Sequence, residues 1–172
     1  TLFGLIASCG LRLSEALSLT IADVDLRRGV LTIRRTKFAK SRQVPLHPST
    51  AKALGRYRWT RDVAGASRDD DAPFFIGTRG RLFGKRISLH QVDNVFAKLR
   101  NDLGWVNRGT HHAPRIHDLR HTFVVRRILL WQQHGVDVDE AMLALSTYVG
   151  HAMVTNTYWY LQAVPELMAV AA

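Results

Sequence analysis

The sequence predicts an α+β domain, mainly α-helical, with one small antiparallel β-sheet built around a hairpin near residues 30–46. Apolar residues recur at helical spacing in most segments of the chain. Strand alternation is confined to Val30-Leu-Thr-Ile-Arg34 and a second short run, Gln43-Val-Pro-Leu46. There are no internal repeats and no low-complexity segment, and 172 residues suit one domain. A chain of this length buries about 70% of the surface its unfolded form exposes, so it needs neither disulfides nor metal to fold.

The elements follow in order. Residues 1–11 carry an apolar helical pattern that Gly10 interrupts, and Ser14 reads as the N-cap of a second helix over 15–19. The turn Arg27-Arg28-Gly29 leads into the hairpin, whose tip, residues 36–41, is polar and basic. Pro45 restricts the returning strand to a sheet edge. Pro48-Ser49 opens a helix to about Val63, followed by a surface loop over 65–73 and a short buried segment, Phe74-Phe75-Ile76. Ser88 caps an amphipathic helix to Leu103, and 104–116 is a loop. Helices are expected over about 118–133, 137–149 and 154–170.

The net charge of +10 favours a polyanionic partner, nucleic acid above all. No run of 18 apolar residues marks a membrane span, and the start shows no signal peptide. The single cysteine, Cys9, cannot form an internal disulfide. It reads as a small buried hydrophobe in a reducing, cytoplasmic setting. The chain opens in a helical pattern without an initiator Met, from which residues upstream are expected.

Six polar residues carry the chemistry: Arg12, Lys37, His117, Arg120, His151 and Tyr160. The sharpest local motif is Ile116-His-Asp-Leu-Arg-His-Thr-Phe123. On a helix His117 and Arg120 are i,i+3 neighbours, and both can donate to one phosphate. His117 and His121 also stand at i,i+4, a metal-ligand spacing, but no third ligand and no H-E-x-x-H pattern accompany them. Arg12 lies in a turn between apolar helices, where an arginine must hold an anion or pair with a carboxylate; Glu15 is the near partner. Lys37 and Lys40 share the hairpin tip, where a solvated loop is the plain alternative. Gly150 suits a helix C-cap ahead of His151. Tyr160, Tyr158 and Trp159 read equally well as core aromatics.

Taken together, Gly10-Leu-Arg-Leu-Ser-Glu15, Thr36-Lys37 ahead of Val44-Pro45-Leu46, the His117–Phe123 motif, Gly150-His151 and a tyrosine nine residues after that histidine resemble the tyrosine recombinases, or phage-type integrases, over residues 5–161. The resemblance implies that 1–172 is a catalytic domain and that an N-terminal DNA-binding domain is absent from this chain. It implies a metal-independent DNA strand transferase that needs no cofactor and works through a 3′-phosphotyrosyl intermediate. It casts Arg12 and Arg120 as the clamp on the scissile phosphate, with His117 and His151 assisting and Glu15 supporting from behind. Lys37 becomes the acid that protonates the leaving 5′-oxygen, and Tyr160 the nucleophile with Tyr158 as its rival. Neighbouring cations are expected to lower the pKa of Tyr160 and of Lys37. The implied partners are double-stranded DNA and three further copies in a tetramer, at the nucleoid, with the apolar tail 163–172 packed on its own domain or on a neighbour. Phosphate contacts are expected from Arg34, Arg35, Lys40, Arg42, Arg79, Arg81, Lys85 and Arg86. A type IB topoisomerase-like enzyme and a non-catalytic DNA-binding relative are the alternatives. The interval between Arg120 and Gly150 is several residues longer than the family pattern, in 126–139.

Overall fold

The computed structural model describes residues 1–34, 41–107, 112–151 and 153–163. Among these are seven helices and a three-stranded antiparallel sheet. The helices are α1 (Leu2–Cys9), α2 (Leu13–Ser18), α3 (Pro48–Val63), α4 (Leu89–Asp102), α5 (Ile116–Gln133), α6 (Val138–Val149) and α7 (Thr155–Ala163). The strands are β1 (Val24–Asp25), β2 (Val30–Ile33) and β3 (Arg42–Pro45), in that order across the sheet. The α+β expectation holds, hairpin included.

Several helices begin where their capping chemistry puts them. Ser88 Oγ accepts from the Gln91 amide while the Gln91 side chain accepts from the Ser88 amide, closing a capping box on α4. Asp137 caps α6 by accepting from the amides of Asp139 and Glu140. Pro48 occupies the first turn of α3, where its missing N–H is not needed. Two starts differ from the sequence reading. Helix α2 begins at Leu13, because the Glu15 carboxylate rather than the Ser14 hydroxyl takes up the orphan amide of Arg12, at 3.0 Å. Helix α5 begins at Ile116, because Asp118 accepts from the Arg115 amide at 2.8 Å and caps a turn earlier.

Sheet register aims side chains. Leu31 and Val44 pair across β2 and β3 and are both fully buried. Residues two apart on a strand share a face, so Arg42 points the same way as Val44, toward the interior. Pro45 ends β3 at the sheet edge, as its missing donor requires. The pairing of β1 with β2 was not expected, since two residues are too short to show alternation. The hairpin tip 35–40, with Lys37, lies outside the described residues, as does the tail 164–172.

One core cluster joins α1, α2 and the sheet with Leu54, Phe74, Phe75, Val92 and Phe96, and it includes Cys9 as expected. A second joins α5, α6 and α7 through Val124, Ile128, Met142, Leu145, Val149 and Tyr160. Helix α1 packs along α5 and so brings the two clusters together. That approach depends on Gly10. It ends α1 in the left-handed region (φ 62°), and a Cβ there would meet the Phe123 ring at 2.5 Å.

Gly10→Ala is therefore expected to cost about 2–4 kcal/mol, combining left-handed strain with overpacking. Gly4→Ala, on an open face of α1 with nothing within 4 Å, should instead stabilise by about 0.5–1 kcal/mol. Urea titration of the two variants tests both signs.

Candidate active site

Five of the six polar residues singled out in the sequence line one cleft of about 460 Å³: Arg12, His117, Arg120, His151 and Tyr160. His121, Thr155, Asn156 and Trp159 complete its walls. The residues come from the α1–α2 turn, the first two turns of α5, the α6–α7 turn and α7. Lys37 is outside the described residues. Glu15 sits behind Arg12 and is buried.

A hydrogen-bonded arginine cluster forms the floor. Glu15 Oε1 accepts from Arg12 Nη1 at 2.8 Å and from Arg42 Nη1 at 3.0 Å. Its Oε2 accepts from Arg42 Nη2 at 2.8 Å and from the Arg12 amide at 3.0 Å. Other guanidinium donors reach the carbonyls at the end of α6 and that of Gly10. Arg42 Nε donates to Tyr148 O (2.9 Å), Arg12 Nη2 to Gly150 O (2.7 Å), and Arg120 Nη1 to Val149 O (2.9 Å) and Gly10 O. Arg120 is only 2% exposed, and its Nη2 has no hydrogen-bond partner among the described residues. Burial alone would raise the Glu15 carboxyl, but the Arg42 hydrogen bonds and charge, aided by Arg12, outweigh it and hold it below the usual range. Burial, then the charge of Arg12, pushes Arg120 down to about 10, so it stays a cation at neutral pH.

Arg42 was expected on the DNA-facing surface. Instead its side chain is 11% exposed and engaged in this cluster. The inward register it shares with Val44 was the signal in the sequence. Of the other phosphate-contact candidates, Arg34 pairs with Asp23 and Arg86 donates to Leu17 O, while Arg79, Arg81 and Lys85 are exposed. Arg35 and Lys40 lie outside the described residues.

The imidazoles are kept neutral. Burial, then Arg120 and Arg12, lowers His151 to about 4, and its Nδ1 contacts Thr157 Oγ1 at 2.7 Å. His117, at the open mouth of the cleft, is lowered by the desolvating walls beside it, then by His121 and Arg120. His121, which the sequence offered only as a metal ligand, has its Nδ1 2.6 Å from Tyr160 Oη. No group of three His, Cys, Asp or Glu among the described residues could hold a metal ion.

Tyr160 is 3% exposed and its ring stacks on that of His151, 11° from parallel. Its pKa is raised, opposite to expectation, because burial outweighs the pull of Arg120. Tyr158 faces away from the cleft and donates to Asp139 Oδ1 at 3.2 Å, at the start of α6. The long interval 126–139 forms the second half of α5 and the turn into α6.

Comparison with known proteins shows the family. A sequence profile described as the phage integrase family matches residues 1–166. A protein of Sinorhizobium fredii named as an integrase/recombinase is 44% identical over 172 residues, covering 100% of this chain and 53% of the relative. The tyrosine recombinase XerC of Thermodesulfovibrio yellowstonii is 30% identical over 156 residues, 89% of this chain and 46% of its own. A crystal structure of XerA recombinase superposes with a TM-score of 0.70 at 25% identity, over 96% of this chain and 53% of that one. The chain thus spans about half the length of the curated relatives it matches. Since the profile runs through every element that lines the cleft, the chain belongs to the phage integrase family.

Proposed function

We propose that this domain cuts and rejoins DNA by transesterification, as the catalytic part of a site-specific recombinase. The observation that carries this reading is the convergence of two arginines, two neutral histidines and a buried tyrosine on one cleft. Arg12 and Arg120 bind the scissile phosphate, and the unpartnered Arg120 Nη2 is a donor that a non-bridging oxygen would satisfy. Their fixed positive charge lies where negative charge grows in the transition state, which is work a metal ion does in other phosphoryl-transfer enzymes. His117 and His151 offer ring nitrogens to the same phosphate as neutral hydrogen-bonding groups.

In the reaction, Tyr160 Oη forms a bond to phosphorus and the bond from phosphorus to the 5′-oxygen breaks. The departing oxygen takes a proton, a role the family resemblance gives to Lys37. The 3′-phosphotyrosyl link conserves the energy of the broken bond, so a second 5′-hydroxyl can reverse the step on another strand without ATP. Exchange between two duplexes calls for several copies of the protein, and a tetramer on paired sites fits that need. The exposed Arg79, Arg81 and Lys85 would add phosphate contacts that position the duplex without reading its sequence.

Two outcomes are expected. With a labelled pool of duplexes of random sequence, the wild-type protein should form adducts that survive denaturing gels. Tyr160→Phe should form none, and Tyr158→Phe should retain them; adducts persisting in Tyr160→Phe would sink the assignment. Duplex binding followed by fluorescence anisotropy should weaken steeply with salt. The expected slope of log K against log salt is about −0.9 for each phosphate contacted, so six contacts weaken binding about 10³-fold or more from 50 to 200 mM.

A further inference from the structure

We propose that His121 is the general base that takes the proton from Tyr160 when the tyrosine attacks phosphorus. The inference rests on the transesterification reading above and adds to it the fate of the nucleophile's proton.

Among the described residues, His121 Nδ1 is the one group within hydrogen-bond distance of the Tyr160 hydroxyl, at 2.6 Å. That contact is inside the 2.6–3.2 Å reach that proton transfer requires. The surroundings fix both rings. The His121 ring sits edge-on to His117, with centroids 4.5 Å apart, and Trp159 covers it from α7 at 6.3 Å. Tyr160 is clamped against His151 and Trp159. His121 therefore meets the phenol in a single geometry, one helical turn beyond His117 on α5.

The electrostatics suit a base rather than an acid. His121 is lowered by burial and by the charges of Arg120 and Arg115, against the opposing pull of Asp118, so the ring is neutral at neutral pH, and its Nε2-protonated tautomer leaves a lone pair on Nδ1. Tyr160 keeps its proton, because burial raises its pKa. The hydroxyl then donates and Nδ1 accepts. On attack the Oη–H bond breaks, the proton moves to Nδ1, and the Oη electron pair forms the bond to phosphorus. Arg120 stabilises the developing phenolate and, later, the same oxygen as it leaves; the imidazolium returns its proton at rejoining. The titratable and charged groups facing this pair are His117, Asp118, Arg120 and Arg115 on or capping α5, His151 from the α6–α7 turn, and Arg12 from the α1–α2 turn.

The test uses nicked duplexes selected from a random pool by covalent capture on the wild-type protein. His121→Asn keeps an oxygen able to accept from the phenol but is not a base at these pH values; His121→Ala removes the contact. Both variants are expected to slow adduct formation by about 10²–10⁴-fold. The wild-type rate should fall as pH drops below the ordinary histidine value of 6.5, and this acidic limb should vanish in His121→Asn. A substrate whose bridging 5′-oxygen is sulfur needs no proton on its leaving group, and the His121→Asn defect should persist on it. A rate for His121→Asn within about threefold of wild type would mean that His121 only positions the ring, and the inference fails. It fails equally if the acidic limb survives, or if the sulfur substrate restores the rate. Absence of any adduct from the wild-type protein would overturn the transesterification reading itself, and this inference with it.

Discussion

Three guanidinium groups, Arg120 and Arg42 largely buried and Arg12 half-buried at the cleft, gather around a single carboxylate, and the rest of the site depends on how they are held there. Arg12, Arg42 and Arg120 set against Glu15 leave an excess of two positive charges. Desolvating each ion costs several kcal/mol unless hydrogen bonds replace the lost water. Glu15 accepts four hydrogen bonds, the carbonyls of Gly10, Tyr148, Val149 and Gly150 accept five more, and Arg120 Nη2 is left without a partner among the described residues. Three of those carbonyls close α6, where a helix carries about half a negative charge. The end of α6 thus works as a second, backbone-made counter-ion.

This arrangement ties together elements far apart in sequence. Arg42 reaches from β3 to α6, Arg12 from the α1–α2 turn to Gly150, and Arg120 from α5 to both ends. Gly150 is where the chain leaves α6 in the left-handed region (φ 73°), and a Cβ there would strike Arg42 Nη1 at 2.5 Å. The turn it permits delivers His151 and then α7 with Tyr160. The cation cluster and the proposed nucleophile are therefore positioned by the same helix end.

Much of this was legible in the sequence, and the misses have physical causes. Helices α3, α4 and α6 announce themselves through Pro48, Ser88 and Asp137, because caps are local chemistry. Strand β1 does not, since its pairing is decided by β2. Convergence of Arg12, His117, Arg120, His151 and Tyr160 was anticipated from motifs, and one cleft holds them. Arg42 was taken for a surface arginine because residue type spoke louder than strand parity. His121 was weighed only against His117, whereas its partner, Tyr160, lies on another helix. The pKa of Tyr160 was expected to fall because nearby cations can be read from a sequence. It rises because burial cannot.

That rise bears on how such a site would be switched on. At rest burial first, and then the excess positive charge, suppresses the imidazoles: His117, His121 and His151 are all lowered, with Arg120 among the further causes each time. A phosphate diester entering the cleft brings one negative charge against those same arginines. By the sign of the interaction it must raise the histidines and weaken the stabilisation of a phenolate. The two shifts favour proton transfer from tyrosine to imidazole over loss of the proton to solvent with a free phenolate left behind. A neutral nucleophile paired with a neutral base is thus the resting state best matched to an anionic substrate, since Oη and Nδ1 lie only 2.6 Å apart and the proton crosses just part of that gap as the new bond forms.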